Sequence, residues 1–161
     1  MRLNDSENGF SLIELLIVVA IIGIISAIAV PNLLASRRAA NEGSALSAMR
    51  TIHSAQVTYL NTQGAGNYGT LGNLRDESLV DTSLGSGTKS GYTFDCAAGN
   101  ITAGPPPTYF ATAVPRYTAV GTRTGTRSFT IAEDGIVRGK VSDTGAANHA
   151  AATTSATWPP L

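Results

Sequence analysis

Apolar and polar positions divide this chain into three stretches of different period. From Leu15 to Val30 only Gly23 and Ser26 are not clearly apolar, and with Phe10 to Glu14 added the run is about 20 residues, enough for a helix to cross ~30 Å of hydrocarbon. Residues 33–61 contain no proline and are rich in Ala, Leu and Arg, all good helix formers. At 100° per residue, Leu46, Met49, Ile52, Val57, Tyr59 and Leu60 fall within an arc of about 160°, while Ser47, Ser54, Thr58 and Asn61 lie opposite. This pattern predicts one helix from Ser11 to about Asn61, apolar all round in its first half and amphipathic in its second.

Beyond Gln63 the period changes. Gly-rich runs make residues 63–91 loop-like, with a helical turn or two expected around Leu74 to Val80. Tyr92 to Cys96 alternates aromatic and polar residues, Tyr109 to Val114 follows the turn at Gly104 to Pro107, and Arg127 to Ile131 leads through Glu133-Asp134-Gly135 into Ile136 to Lys140. Asp-Gly favours a tight hairpin because glycine accepts positive φ. Three or four antiparallel strands are expected, with Phe129 and Ile131 facing the helix stripe. The segment from Ser142 is small and polar apart from Trp158 and Leu161, so it is either flexible or docked through Trp158.

Composition narrows the function. Lys plus Arg and Asp plus Glu are each 11, so no nucleic acid or polyanionic partner is indicated. Cys96 is the single cysteine, which excludes an intramolecular disulfide and points to a buried thiol. The run GSGTKSG lacks the adjacent Gly-Lys of a phosphate loop. His53 and Gln56 lie on or near the apolar arc and are expected to be satisfied at a buried boundary. No catalytic constellation, metal-ligand spacing or cofactor motif is present, and Asn100-Ile101-Thr102 is a sequon of the kind that arises by chance. A non-enzymatic protein with no metal and no cofactor is expected.

One residue conflicts with the oily run that contains it. An ionised Glu14 near the middle of a membrane helix would cost roughly 2.5–3.5 kcal/mol, somewhat less at its edge. A secretory signal peptide cleaved after Ala29, at Ala27-Ile28-Ala29, does not account for that acid or for the length of the apolar run. An ordinary anchor with Arg37, Arg38 and Arg50 turned to the cytoplasm leaves the acid unexplained too.

The residues Gly9-Phe10-Ser11-Leu12-Ile13-Glu14 followed by LLIVVAIIGIISAIAVPNLL resemble the N-terminus of type IV prepilins and of the pseudopilins of type II secretion. The resemblance covers about the first 40 residues and implies an α+β, pilin-like fold. In it the apolar half of a long N-terminal helix protrudes and the amphipathic half packs on a small antiparallel sheet. It implies a leader at 1–9, a hydrophobic transmembrane and assembly helix at 10–32, and the amphipathic half of the helix at 33–62. The rest, 63–161, is a globular αβ-loop and β-sheet region with a flexible C-terminal tail.

The resemblance further implies cleavage between Gly9 and Phe10 by a prepilin peptidase and N-methylation of Phe10. Glu14 would form an assembly salt bridge with the freed amine of its own chain or of a neighbour, and Gly23 and Pro31 would be the sites of a helix kink. The leader, with Asp5 and Glu7, is less basic than family leaders often are. The implied partners are further copies in a helical filament, the peptidase, inner-membrane assembly machinery and, before assembly, the membrane. The implied location is the inner membrane for the precursor and an extracellular filament afterwards. Major pseudopilins carry an acidic calcium loop near the C-terminus, whereas here only Asp143 lies beyond the hairpin. The alternatives are a major pilin, a pseudopilin or minor pilin, and a secreted protein starting at Val30.

Overall fold

A computed structural model describes residues 10–99, 106–119 and 122–161. Gly9 with the rest of residues 1–9, the Asn100-Ile101-Thr102 sequon and Gly104 lie outside the described residues. Helix α1 runs from Leu12 to Asn61 without interruption. The chain divides into two compact units, one ending at Ser36 and one from Arg37 to Leu161. The first unit is the apolar part of α1. The second contains the remainder of α1, the short helices α2 (Leu71–Asp76) and α3 (Thr82–Gly85), five strands and a last helix, α4 (His149–Thr153).

The strands are β1 (Thr88–Lys89), β2 (Tyr92–Gly99), β3 (Thr108–Pro115), β4 (Ser128–Ala132) and β5 (Arg138–Lys140). They form one antiparallel meander in chain order. Five strands exceed the three or four expected from sequence, because Thr88–Lys89 is too short to show a period and pairs only through Thr93 and Tyr92. The stretch 63–91 is also more regular than its glycines suggest. Helix α2 begins at a capping box in which Thr70 and Asn73 satisfy each other's backbone N–H groups, a device that stabilises even a short helix. It starts three residues before the expected Leu74.

Register explains which side chains meet α1. Phe94, Ala113, Phe129 and Gly139 form one cross-strand row, and Cys96, Ala111 and Ile131 form the next. Both rows belong to the core together with Ala45, Ala48, Met49, Ile52 and Ala55 of α1. The helix stripe is therefore built largely of alanine. Val57, placed in the stripe by the angular estimate, is exposed, while Leu46 and Tyr59 are only partly buried against the core. Small side chains at 45, 48 and 55 suit a close approach of helix to sheet, and the bulky sheet residues Tyr92, Phe94 and Phe129 supply the volume.

The opposite face of the sheet is covered as well, which is why all five residues of β4 are buried. Gly145 lies against Thr112, α4 packs on β3 and β4, and Trp158 is 3% exposed. Gly139 N donates to Pro159 O (3.0 Å) and Leu161 N to Val137 O (3.2 Å), so the C-terminus lies along β5. Of the two fates open to this segment, the structure has the docked one.

Between β4 and β5 the chain makes a wide turn, since Thr130 pairs with Arg138. Gly135 does supply the positive φ expected of Asp-Gly, at 70°, but the connection is longer than a tight hairpin. The reason is chemical: Asp134 takes both Nη atoms of the buried Arg138, at 3.2 and 2.6 Å, and also accepts from Ile136 N. The carboxylate holds the turn open around the guanidinium.

Candidate functional site

Phe10 is 82% exposed and precedes the helix. The first helical bond is Leu15 N to Ser11 O (3.2 Å), which places Glu14 in the first turn of α1. A carboxylate there is favoured by the partial positive charge of the helix N-terminus. Phe10 and Glu14 thus stand about one turn apart, and the Glu14 side chain makes no ion pair among the described residues.

Every large apolar side chain from Leu12 (80% exposed) to Leu34 (38%) is open in this chain. No residue of the most apolar stretch is buried, and the helix is long and apolar enough to cross a membrane by length and composition. A helix apolar on all faces needs either lipid or other helices around it. Gly23 has open space where a Cβ would be, so its place in the helix is not forced by packing within the chain. Pro31 also lies inside α1; it has no N–H to give to the carbonyl of Ala27, four residues back.

The candidates in the second unit are all engaged in structure. Gln56 is fully buried, with Nε2 donating to Gly69 O (2.5 Å) and to Cys96 Sγ (3.0 Å) and Oε1 accepting from Gly69 N (2.9 Å). Burial, offset in part by that Gln56 bond, pushes the Cys96 thiol up to about 12. His53 Nδ1 is hydrogen-bonded to the Tyr109 hydroxyl (2.6 Å), whose own ionisation is pushed up mainly by burial. Asp143 accepts from Arg123 Nη2 (3.1 Å). Among the described residues no group of three or more His, Cys, Asp and Glu is placed to hold a metal ion.

Long-range bonds add residues that sequence alone does not single out. Asn41 Nδ2 donates to Thr124 O (2.9 Å), and Glu42 Oε1 accepts from both the N–H and the hydroxyl of Thr126, each at 2.7 Å. Glu42 is thus engaged within its own chain. Partners more than eighty positions apart leave no local signature.

Comparison with known proteins agrees with this geometry at the N-terminus. Residues 4–30 match the model of the prokaryotic N-terminal methylation motif. The chain is 41% identical over 58 residues (36% of this chain, 26% of the relative) to the type IV major pilin protein PilA of Myxococcus xanthus. It is 65% identical over 37 residues (23% and 28%) to the type IV wide pilus major component PilA4 of Thermus thermophilus. It is also 34% identical over 59 residues (37% and 41%) to the type II secretion system core protein G of Escherichia coli. The matched segments span between about a quarter and two fifths of these relatives. No solved structure matches the chain. The methylation motif, the exposed apolar helix and these relatives support the type IV pilin and type II secretion pseudopilin superfamily, the similarity lying in the N-terminal part of the chain.

Proposed function

We propose that this chain is the structural subunit, the major pilin, of a type IV pilus. A prepilin peptidase cuts after Gly9, the new terminus at Phe10 is methylated, and the apolar half of α1 holds the subunit in the inner membrane. Assembly machinery then moves it into a helical, extracellular filament of like copies. The observation that carries the reading is the apolar helix behind the methylation motif, none of whose most apolar stretch is buried within the chain. Such a surface is costly in water at roughly 25 cal/mol per Å², and the bilayer and the filament core are the two places that remove the cost.

Glu14 gives the assembly its register. The cut leaves an ammonium on Phe10, and an acid in a low-dielectric helix bundle is strongly favoured by pairing with such a group on its own or an adjoining copy. Gly23 and Pro31 provide the places where α1 yields when it is packed into the filament.

The deciding experiment is intact mass and N-terminal sequencing of the mature protein. A start at Phe10 carrying one methyl group is expected; a start at Val30 would replace this reading with a signal-peptide one. The second reading, a pseudopilin or minor pilin, is favoured by the match to core protein G. Shed fibres composed mainly of this chain support the major pilin, and a short periplasmic assembly required for protein secretion supports the alternative. The pairing of Asp143 with Arg123 leans away from a calcium loop of the pseudopilin kind.

A further inference from the structure

Residues 122–126, which follow the described segment ending at 119, are fastened to the start of the second unit. Thr124 is the nail: its O accepts from Asn41 Nδ2, its Oγ1 donates to Gly91 O (2.7 Å), and its N donates to Tyr117 O (3.0 Å). The loop so fixed presents Arg116 and Tyr117, both exposed, with the guanidinium 5.5 Å from the ring centroid. Tyr117 is 51% exposed, with its ring open to solvent.

Arg37 and Arg38 precede Asn41 by about one helical turn, on the side of α1 that holds this loop. Arg37, Arg38, Arg116, Arg123 and Arg127 lie in or beside the segments that the Asn41, Glu42 and Thr124 bonds join, as do the carboxylates Glu42 and Asp143. Asp143 is taken by Arg123 and Glu42 by Thr126. Arg37, Arg38 and Arg116 make no ion pair among the described residues.

We propose that Arg37, Arg38, Arg116 and Tyr117 form a docking surface for anionic phospholipid headgroups, used while the subunit still stands in the bilayer. The inference rests on α1 being membrane-inserted before assembly. Two features favour lipid over other polyanions, and a third is shared with any phosphate ligand. Arg37 follows Val30, the end of the apolar run, by seven positions, about two turns of the same helix. Tyrosine with its amphipathic ring concentrates at headgroup depth. Guanidinium pairs bidentately with phosphate oxygens. Each basic residue at such a surface strengthens association about fivefold.

The test uses the full chain reconstituted in vesicles of phosphatidylcholine, with or without phosphatidylglycerol. An Ala119→Cys variant places a thiol on the exposed loop, and the buried Cys96 contributes no background. Labelling by a polar maleimide is expected to be at least fivefold slower with phosphatidylglycerol. High salt, or the added changes Arg116→Gln and Tyr117→Ser, should abolish the difference, and continued silence of Cys96 shows that these variants are folded. Equal rates in the two vesicles overturn the proposal, as does slowing by double-stranded DNA in phosphatidylcholine alone, which would make this a nucleic-acid face. Failure to co-float with phosphatidylcholine vesicles would overturn the membrane anchor itself, and the docking surface with it.

Discussion

The carboxamide of Gln56 and the peptide group of Gly69 satisfy each other from both sides, N–H to O in each direction, inside the core. The pair ties the C-terminal part of α1 to the segment that leads into α2. Gln56→Leu keeps the volume but leaves the Gly69 N–H and C=O without these partners, at roughly 1–3 kcal/mol for each buried group. Urea denaturation should show a loss of about 3 kcal/mol with little change in slope. An unchanged midpoint would mean that Gly69 finds other partners.

Glu42→Ala should free the loop rather than unfold the unit. Two hydrogen bonds to one charged oxygen are lost, worth about 1.5–3 kcal/mol for a bond to a charged group. Amide exchange at Thr126 is expected to accelerate well before exchange at the β2 and β3 amides. Uniform acceleration would assign Glu42 to global stability.

The acid limb of the stability curve should depend on Asp134. Burial pushes its carboxyl up, but the Arg138 hydrogen bond, the Ile136 N–H and the Arg138 and His53 charges outweigh burial and leave it below its ordinary 3.8. A depressed folded value contributes stability above the unfolded value and loses it as pH falls through the folded one. Asp134→Asn should therefore lower stability at neutral pH and flatten its fall below pH 3.8. The neutral-pH cost is about 2–3 kcal/mol, because Arg138 keeps a buried charge with no counterion. A parallel acid limb in the variant would refute the assignment.

Cys96 carries the opposite sign. Its folded value is raised from 9.0 to about 12 by burial, so the thiol favours the folded state below 9.0 and that advantage is lost as pH rises toward 12. Alkylation at neutral pH should occur only after denaturant is added. Rapid labelling of the native chain would contradict the burial.

For assembly, Glu14→Ala is expected to leave export and leader cleavage intact and to abolish or sharply reduce fibres, counted by electron microscopy. Normal fibres would remove Glu14 from the register mechanism.

The extent of α1 was legible because fifty residues without a proline other than Pro31 leave few other options, and the change from all-round to one-sided apolarity marks its two environments. The rows through Phe94, Phe129 and Ile131 were legible from alternation. What escaped is what a local pattern cannot encode. Alanines 45, 48 and 55 carry the helix face, yet alanine scores weakly in any apolar arc, so Val57 was placed wrongly inside it. Helix α2 depends on a Thr70–Asn73 cap hidden among glycines, and β1 on pairing alone. Thr124 and Thr126 become informative only once folding brings them to Asn41 and Glu42.

Both margins of the sheet are closed to strand addition. At one side β1 offers only Thr88 and Lys89; at the other, β5 is overlaid by Pro159 to Leu161, and the prolines have no N–H to extend the ladder. Copies of this chain brought close together are thereby denied an uncontrolled way of joining, edge to edge through backbone hydrogen bonds. Association is left to side-chain surfaces and helices, which can be specific and reversible where a zipped sheet is neither.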